Sequence, residues 1–102
     1  MNLKFNLPKP QSERLALREG ETVRYCSPYD VNMSGGWTKQ GYIVVTDRRL
    51  VVLTDQAVSE DIPLAEIAFL KCEPLVNNGI LVGRTESETE DRILARFSIL
   101  LL

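Results

Sequence analysis

The spacing of apolar and polar residues changes character once along this chain. Over residues 1–11 apolar side chains are scattered, and Pro8 and Pro10 interrupt them. That predicts an extended arm, with Leu7 and Lys9 held out of helix by the prolines that follow them. Residues 12–19 fit one short helix with Ser12 as its cap and Gly20 as its stop, or an extended lead-in. From Glu21 onward the period is two. Residues 22–27 alternate and are rich in β-formers, which predicts the first strand. Residues 28–36 read as a loop, with Asp30, Asn32, Ser34, Gly35 and Gly36 supplying turn chemistry. Residues 37–45 and 50–54 read as a hairpin closed by Thr46-Asp47-Arg48-Arg49. A turn at Asp55-Gln56 leads into a strand at 57–62. Pro63 then breaks the ladder and makes a corner of 63–66. Strands follow at 67–73, 80–84 and 92–97. Asn77-Asn78-Gly79 turns between the first two, and the acidic loop 85–91 precedes the last. About seven short strands at this spacing predict a small barrel or sandwich.

The chain ends Phe97-Ser98-Ile99-Leu100-Leu101-Leu102. Chain ends are usually polar and frayed, so this apolar run predicts a natural chain that continues, cut as a new element begins.

Composition narrows the chemistry. A chain of 102 residues with 44% apolar and 25% charged residues is ordinary for one globular domain. A net charge of −2 argues against nucleic acid or an anionic membrane as the main partner. There is no histidine, which removes the commonest general base and the commonest zinc ligand. Cys26 and Cys72 each sit in an apolar stretch and are expected to be reduced, buried hydrophobes of a cytoplasmic domain. Residues 1–7 carry one basic residue ahead of Pro8, unlike a signal peptide, and no apolar run reaches the length of a membrane span. No catalytic residue, cofactor site or metal site is expected.

Several residues are candidates for contact with a partner. Arg48 and Arg49 suit a phosphate, but a solvated hairpin turn with one arginine paired to a nearby carboxylate is the better account of them. Trp37 is a candidate binding aromatic. At the start of a strand it is expected to be partly buried against the core. Ser34-Gly35-Gly36 is too short for a phosphate cradle and opens no helix. Glu86, Glu88, Glu90 and Asp91 lack the spacing of a calcium loop and read as solubilising. A strand-rich domain also offers a free edge for binding by strand addition.

The run Gly41-Tyr42-Ile43-Val44-Val45-Thr46-Asp47-Arg48-Arg49-Leu50-Val51-Val52-Leu53 resembles the most characteristic stretch of bacterial pleckstrin-homology-like domains. Leu17-Arg18-Glu19-Gly20-Glu21 is similar to that family's lead-in, and Ile62-Pro63-Leu64-Ala65-Glu66-Ile67 to its corner before the fifth strand. A narrower resemblance is to the amino-terminal domain of some bacterial ABC exporters. It is carried by Glu13-Arg14-Leu15, Val45 to Leu50, Lys71 to Pro74, Asn78 to Val82 and Ala95 to Ser98.

The resemblance implies a mainly β, pleckstrin-homology-like barrel or sandwich over residues 17–102, behind an arm at 1–16. It also implies a carboxy-terminal helix starting near Ile99, cut short here, whose apolar face covers one open end. Leu100 and Leu101 would belong to its first turn and are candidate contact residues. Phosphoinositide-binding relatives carry a basic cluster after strand one. Here that loop holds Asp30 and no cation before Lys39, which argues against strong lipid binding. The implied function is a non-catalytic cytoplasmic interaction or regulatory domain of an ABC transporter, on the cytoplasmic side of the membrane. Its partners would be the other domains of that transporter, a protein, or a second copy. The alternative is a free-standing pleckstrin-homology-like module for a ligand or lipid.

Overall fold

The structure is a computed structural model that describes residues 7–31, 36–75 and 78–98. A helix, α1 (Lys9–Leu15), precedes seven strands: β1 (Val23–Val31), β2 (Trp37–Thr46), β3 (Arg49–Leu53), β4 (Val58–Pro63), β5 (Ile67–Pro74), β6 (Asn78–Thr85) and β7 (Arg92–Ser98). One 3-10 turn at Leu64–Glu66 joins β4 to β5. The pairing is antiparallel throughout, in the order β4-β3-β2-β1-β7-β6-β5. The chain is therefore mainly β, as its alternation predicts. The closed-barrel form of that expectation is corrected: the order ends at β4 and β5, and no ladder among the described residues joins them. Leu100, Leu101 and the helix expected near Ile99 lie outside the described residues.

Two meanders, β1–β4 and β5–β7, meet where β1 reaches β7, with Val31 opposite Arg96. The sheet folds back on itself there, so both halves supply one core. Tyr29, Leu50, Val52 and Ile62 come from the first half; Leu81, Leu94, Ala95 and Phe97 come from the second. A second cluster lies on the outer face of the first half, where Leu15 of α1 packs on Val44, Val51 and Leu53. This explains why all five residues of β3 are buried. Alternate side chains enter the two clusters, so an unbroken apolar strand is what this position requires.

Three local expectations are corrected. The helix starts earlier than the Ser12 reading places it, with Pro8 at its cap and Pro10 in its first turn, where a missing N–H costs nothing. The chain leaves the helix through Ala16 in a left-handed conformation, not at Gly20. The first strand runs on through Pro28 to Val31, over part of the expected loop. Pro28 lies opposite Tyr42 of β2, and β1 meets β7 at Val31, so no second neighbour at Pro28 calls for the N–H that proline lacks. Among the described residues no helix is long and apolar enough to cross a membrane.

Candidate functional site

The Thr46-Asp47-Arg48-Arg49 corner is an internal lock. Only Asp47 and Arg48 form the turn; Arg49 is the first residue of β3 and is buried. The Thr46 hydroxyl accepts the backbone N–H groups of Arg48 and Arg49, at 3.0 Å each, and donates to Glu21 at 2.6 Å. Asp47 accepts the N–H of Thr22 at 3.0 Å, which pins the start of β1 to the turn. The Arg49 guanidinium bonds Glu21 through Nε at 2.7 Å and Nη2 at 2.9 Å. It also donates to Asp61 at 3.0 Å and to the Leu15 carbonyl at 2.8 Å. These bonds hold the end of α1, the lead-in to β1 and the β3–β4 hairpin together.

The bond from Arg49 outweighs the burial of Glu21 and pulls its carboxyl down to about 2. The same bond raises Arg49 above the usual arginine range. Arg49 thus takes the carboxylate-paired reading, and its donors face inward. Arg48, one pleat away, is exposed at the turn. Glu21 and Gln11 are buried polar residues that the sequence pattern does not single out. Gln11 donates to the Thr54 carbonyl at 2.6 Å and fastens α1 to the end of β3.

Trp37 is 77% exposed at the start of β2, which corrects the expectation of partial burial. It borders a small cavity of about 90 Å³ with Tyr29, Asp55 and Ser59. Tyr29 donates its hydroxyl to the Leu53 carbonyl at 2.8 Å, and burial, with Asp55 nearby, pushes that hydroxyl up to about 12. Both cysteines are free thiols. Cys72 is exposed, contrary to expectation, while Cys26 is half-buried and its pKa is raised by burial.

An apolar groove of about 400 Å³ lies between the two halves of the sheet. Tyr25, Ile43 and Val45 line one wall; Leu70, Leu81 and Phe97 line the other. Tyr25 is 53% and Leu70 45% exposed, so the groove is open to solvent. Neither Arg48 nor Arg49 reaches it, and Trp37 borders the other cavity. Sequence pattern alone does not reveal the groove, because its walls are ordinary inward-facing strand residues until the fold leaves them uncovered. Among the described residues no group of cysteine, aspartate or glutamate is placed to hold a metal ion. The arrangement can exclude water from an apolar surface and has few polar groups to orient a reacting one. Comparison with family models, with curated proteins and with solved structures found no match to this chain.

Proposed function

We propose that this chain is a non-catalytic interaction module of the pleckstrin-homology-like class that works through the groove between its sheet halves. The observation that carries the reading is the groove itself: aliphatic and aromatic side chains from both halves, and, among the described residues that line it, no charged side chain. Exposed apolar surface of this kind is costly in water and marks a docking site. The resemblance of the Val45 to Leu50 corner and of Lys71 to Pro74 extends the proposal: the domain serves as the amino-terminal part of a bacterial ABC exporter and docks other domains of that transporter. Lipid is disfavoured as a partner because Arg49 is consumed internally, leaving Arg48 without a second cation at the turn.

Titration with anilinonaphthalene sulfonate tests the groove. The dye should bind saturably, and Tyr25→Asp, at a half-exposed wall position, should abolish binding while leaving the melting temperature within a few degrees. Dye binding unchanged by that substitution overturns the reading. Salt-sensitive co-sedimentation with phosphoinositide vesicles, lost in Arg48→Glu, would instead favour a lipid-binding module. The exporter context is tested by the natural reading frame: a membrane-spanning region followed by Gly-x-x-x-x-Gly-Lys-Ser/Thr supports it, and a frame without them refutes it.

A further inference from the structure

We propose that β5 is a pairing edge for a second copy of this chain, joined antiparallel about a two-fold axis through Cys72. The inference rests on the free backbone edge of β5; the side chains of Leu70 and Cys72 on that edge also line the groove, and Lys71 and Glu73, which do not line it, separate the two readings. β5 is last in the strand order, with β6 on one side and, among the described residues, no backbone hydrogen bond on the other. Every residue from Leu70 to Pro74 is exposed.

The phase of the backbone decides which groups face outward. The N–H of Leu75 bonds the Asn78 carbonyl at 2.6 Å where β5 turns into β6. The register continues with Glu73 opposite Ile80 and Lys71 opposite Val82. Successive residues of a strand send their polar backbone groups to opposite sides, so Lys71 and Glu73 bond inward to β6. Leu70 and Cys72 therefore aim N–H and C=O at the free edge, and Pro74 aims its carbonyl there. Pro74 withdraws no hydrogen bond from β6, which is where an edge proline belongs. An unpaired edge of this length is a template for another strand.

The side chains select the occupant. With the axis at Cys72, Lys71 lies opposite Glu73 of the partner subunit, and Glu73 lies opposite Lys71 of the partner subunit. Leu70 meets Pro74 of the partner subunit, and Phe69 meets Leu75 of the partner subunit. Opposite charges therefore pair at the centre and apolar residues pair at the flanks. Moving the axis to Lys71 or to Glu73 sets like charges directly opposite each other, which is destabilising. Moving it to Leu70 sets both charges against apolar residues, and moving it to Pro74 sets Glu73 against Leu75 of the partner subunit. The pairing is isologous and closes as a dimer. Cys72 meets Cys72 of the partner subunit as a hydrogen-bonded pair, with Cα atoms about 5.5 Å apart, inside the range a disulfide can span.

Sedimentation equilibrium with the whole chain tests the edge and its register. The wild type should dimerise reversibly. Lys71→Glu and Glu73→Lys should each weaken the dimer by about tenfold or more. An equimolar mixture of the two variants should recover it, because opposite charges again face each other, and so should the double variant. Both side chains are exposed, so unchanged circular dichroism separates lost pairing from lost folding. Copper-phenanthroline, as the oxidant that takes up the two thiol electrons, should cross-link wild type and Cys26→Ser but not Cys72→Ser. A wild type that stays monomeric at every concentration overturns the proposal. So does a dimer that both charge variants leave intact, or a mixture that fails to recover.

Discussion

Glu21 keeps a carboxylate where its side chain has no access to solvent, and Arg49 is what makes that tolerable. Removing one member of such a pair strands a buried charge, which typically costs about 3–5 kcal/mol. The pair also sets an acid limit. The folded pKa of Glu21 lies below its ordinary value of 4.5, at about 2. Its stabilising contribution is thus complete above about pH 4.5 and is lost as pH falls through that window toward about 2. Glu21→Gln should lower stability at neutral pH by about 3 kcal/mol and flatten the acid slope between those limits. Urea unfolding at several pH values measures both effects. Parallel slopes for wild type and variant would show that Glu21 is not the group that titrates. The sequence marks Arg48 and Arg49 as a pair of cations but not their opposite fates. One step in the pleat sends Arg49 inward, and its carboxylate partner lies 28 residues earlier in the chain. Nothing local to Glu21 announces that distance.

At the scale of elements, two aromatic rings lie across glycines of the neighbouring strand. Tyr29 of β1 covers Gly41 of β2, its register partner, and a Cβ at Gly41 would sit 2.5 Å from Tyr29 Cζ. Phe97 of β7 covers Gly79 of β6 in the same way, and a Cβ there would strike its ring. Both rings belong to the shared core, so neither can swing out without opening it. Gly41→Ala and Gly79→Ala should each cost about 1–3 kcal/mol by overpacking. Gly79→Ala paired with Phe97→Leu should recover part of that loss, since the smaller side chain vacates the space. A double variant no more stable than the worse single one would count against ring contact as the cause. The strands themselves were legible because period-two alternation is local. Gly79 reads from sequence as a turn residue beside Asn78, although it sits within β6 as a ring's floor. Pro28 likewise reads as a strand end, because the absence of a second neighbour at that point depends on where β7 arrives. The groove was out of reach for the same reason: its walls come from both halves of the chain.

For the molecule as a whole, the question is what keeps two meanders folded onto each other when, among the described residues, a short stretch of β1 at Val31 meets β7. The apolar core supplies most of the attraction, and hydrogen bonds fix the angle. Asp30 of β1 accepts the N–H of Ser98 at 2.6 Å, at the seam. Across the open side, Arg92 of β7 bonds Glu60 of β4 and also Glu88 at 2.8 Å. Glu60 raises the arginine's pKa above its usual range, ahead of the opposing effect of burial. This bridge spans strands far apart in the sheet order, so it exists only when the sheet is folded back. Its side chains are part-exposed, 38% for Arg92 and 17% for Glu60, and water and salt screen them. The pair should therefore be worth no more than about 1 kcal/mol. A double-mutant cycle with Glu60→Gln and Arg92→Gln, read by urea unfolding, should give a coupling of that size in low salt and less at 1 M salt, where screening is strong. The coupling should accompany closer approach of the halves, and so reduced dye binding in the groove relative to either single variant. Zero coupling in low salt would mean that the apolar core alone sets the angle between the halves.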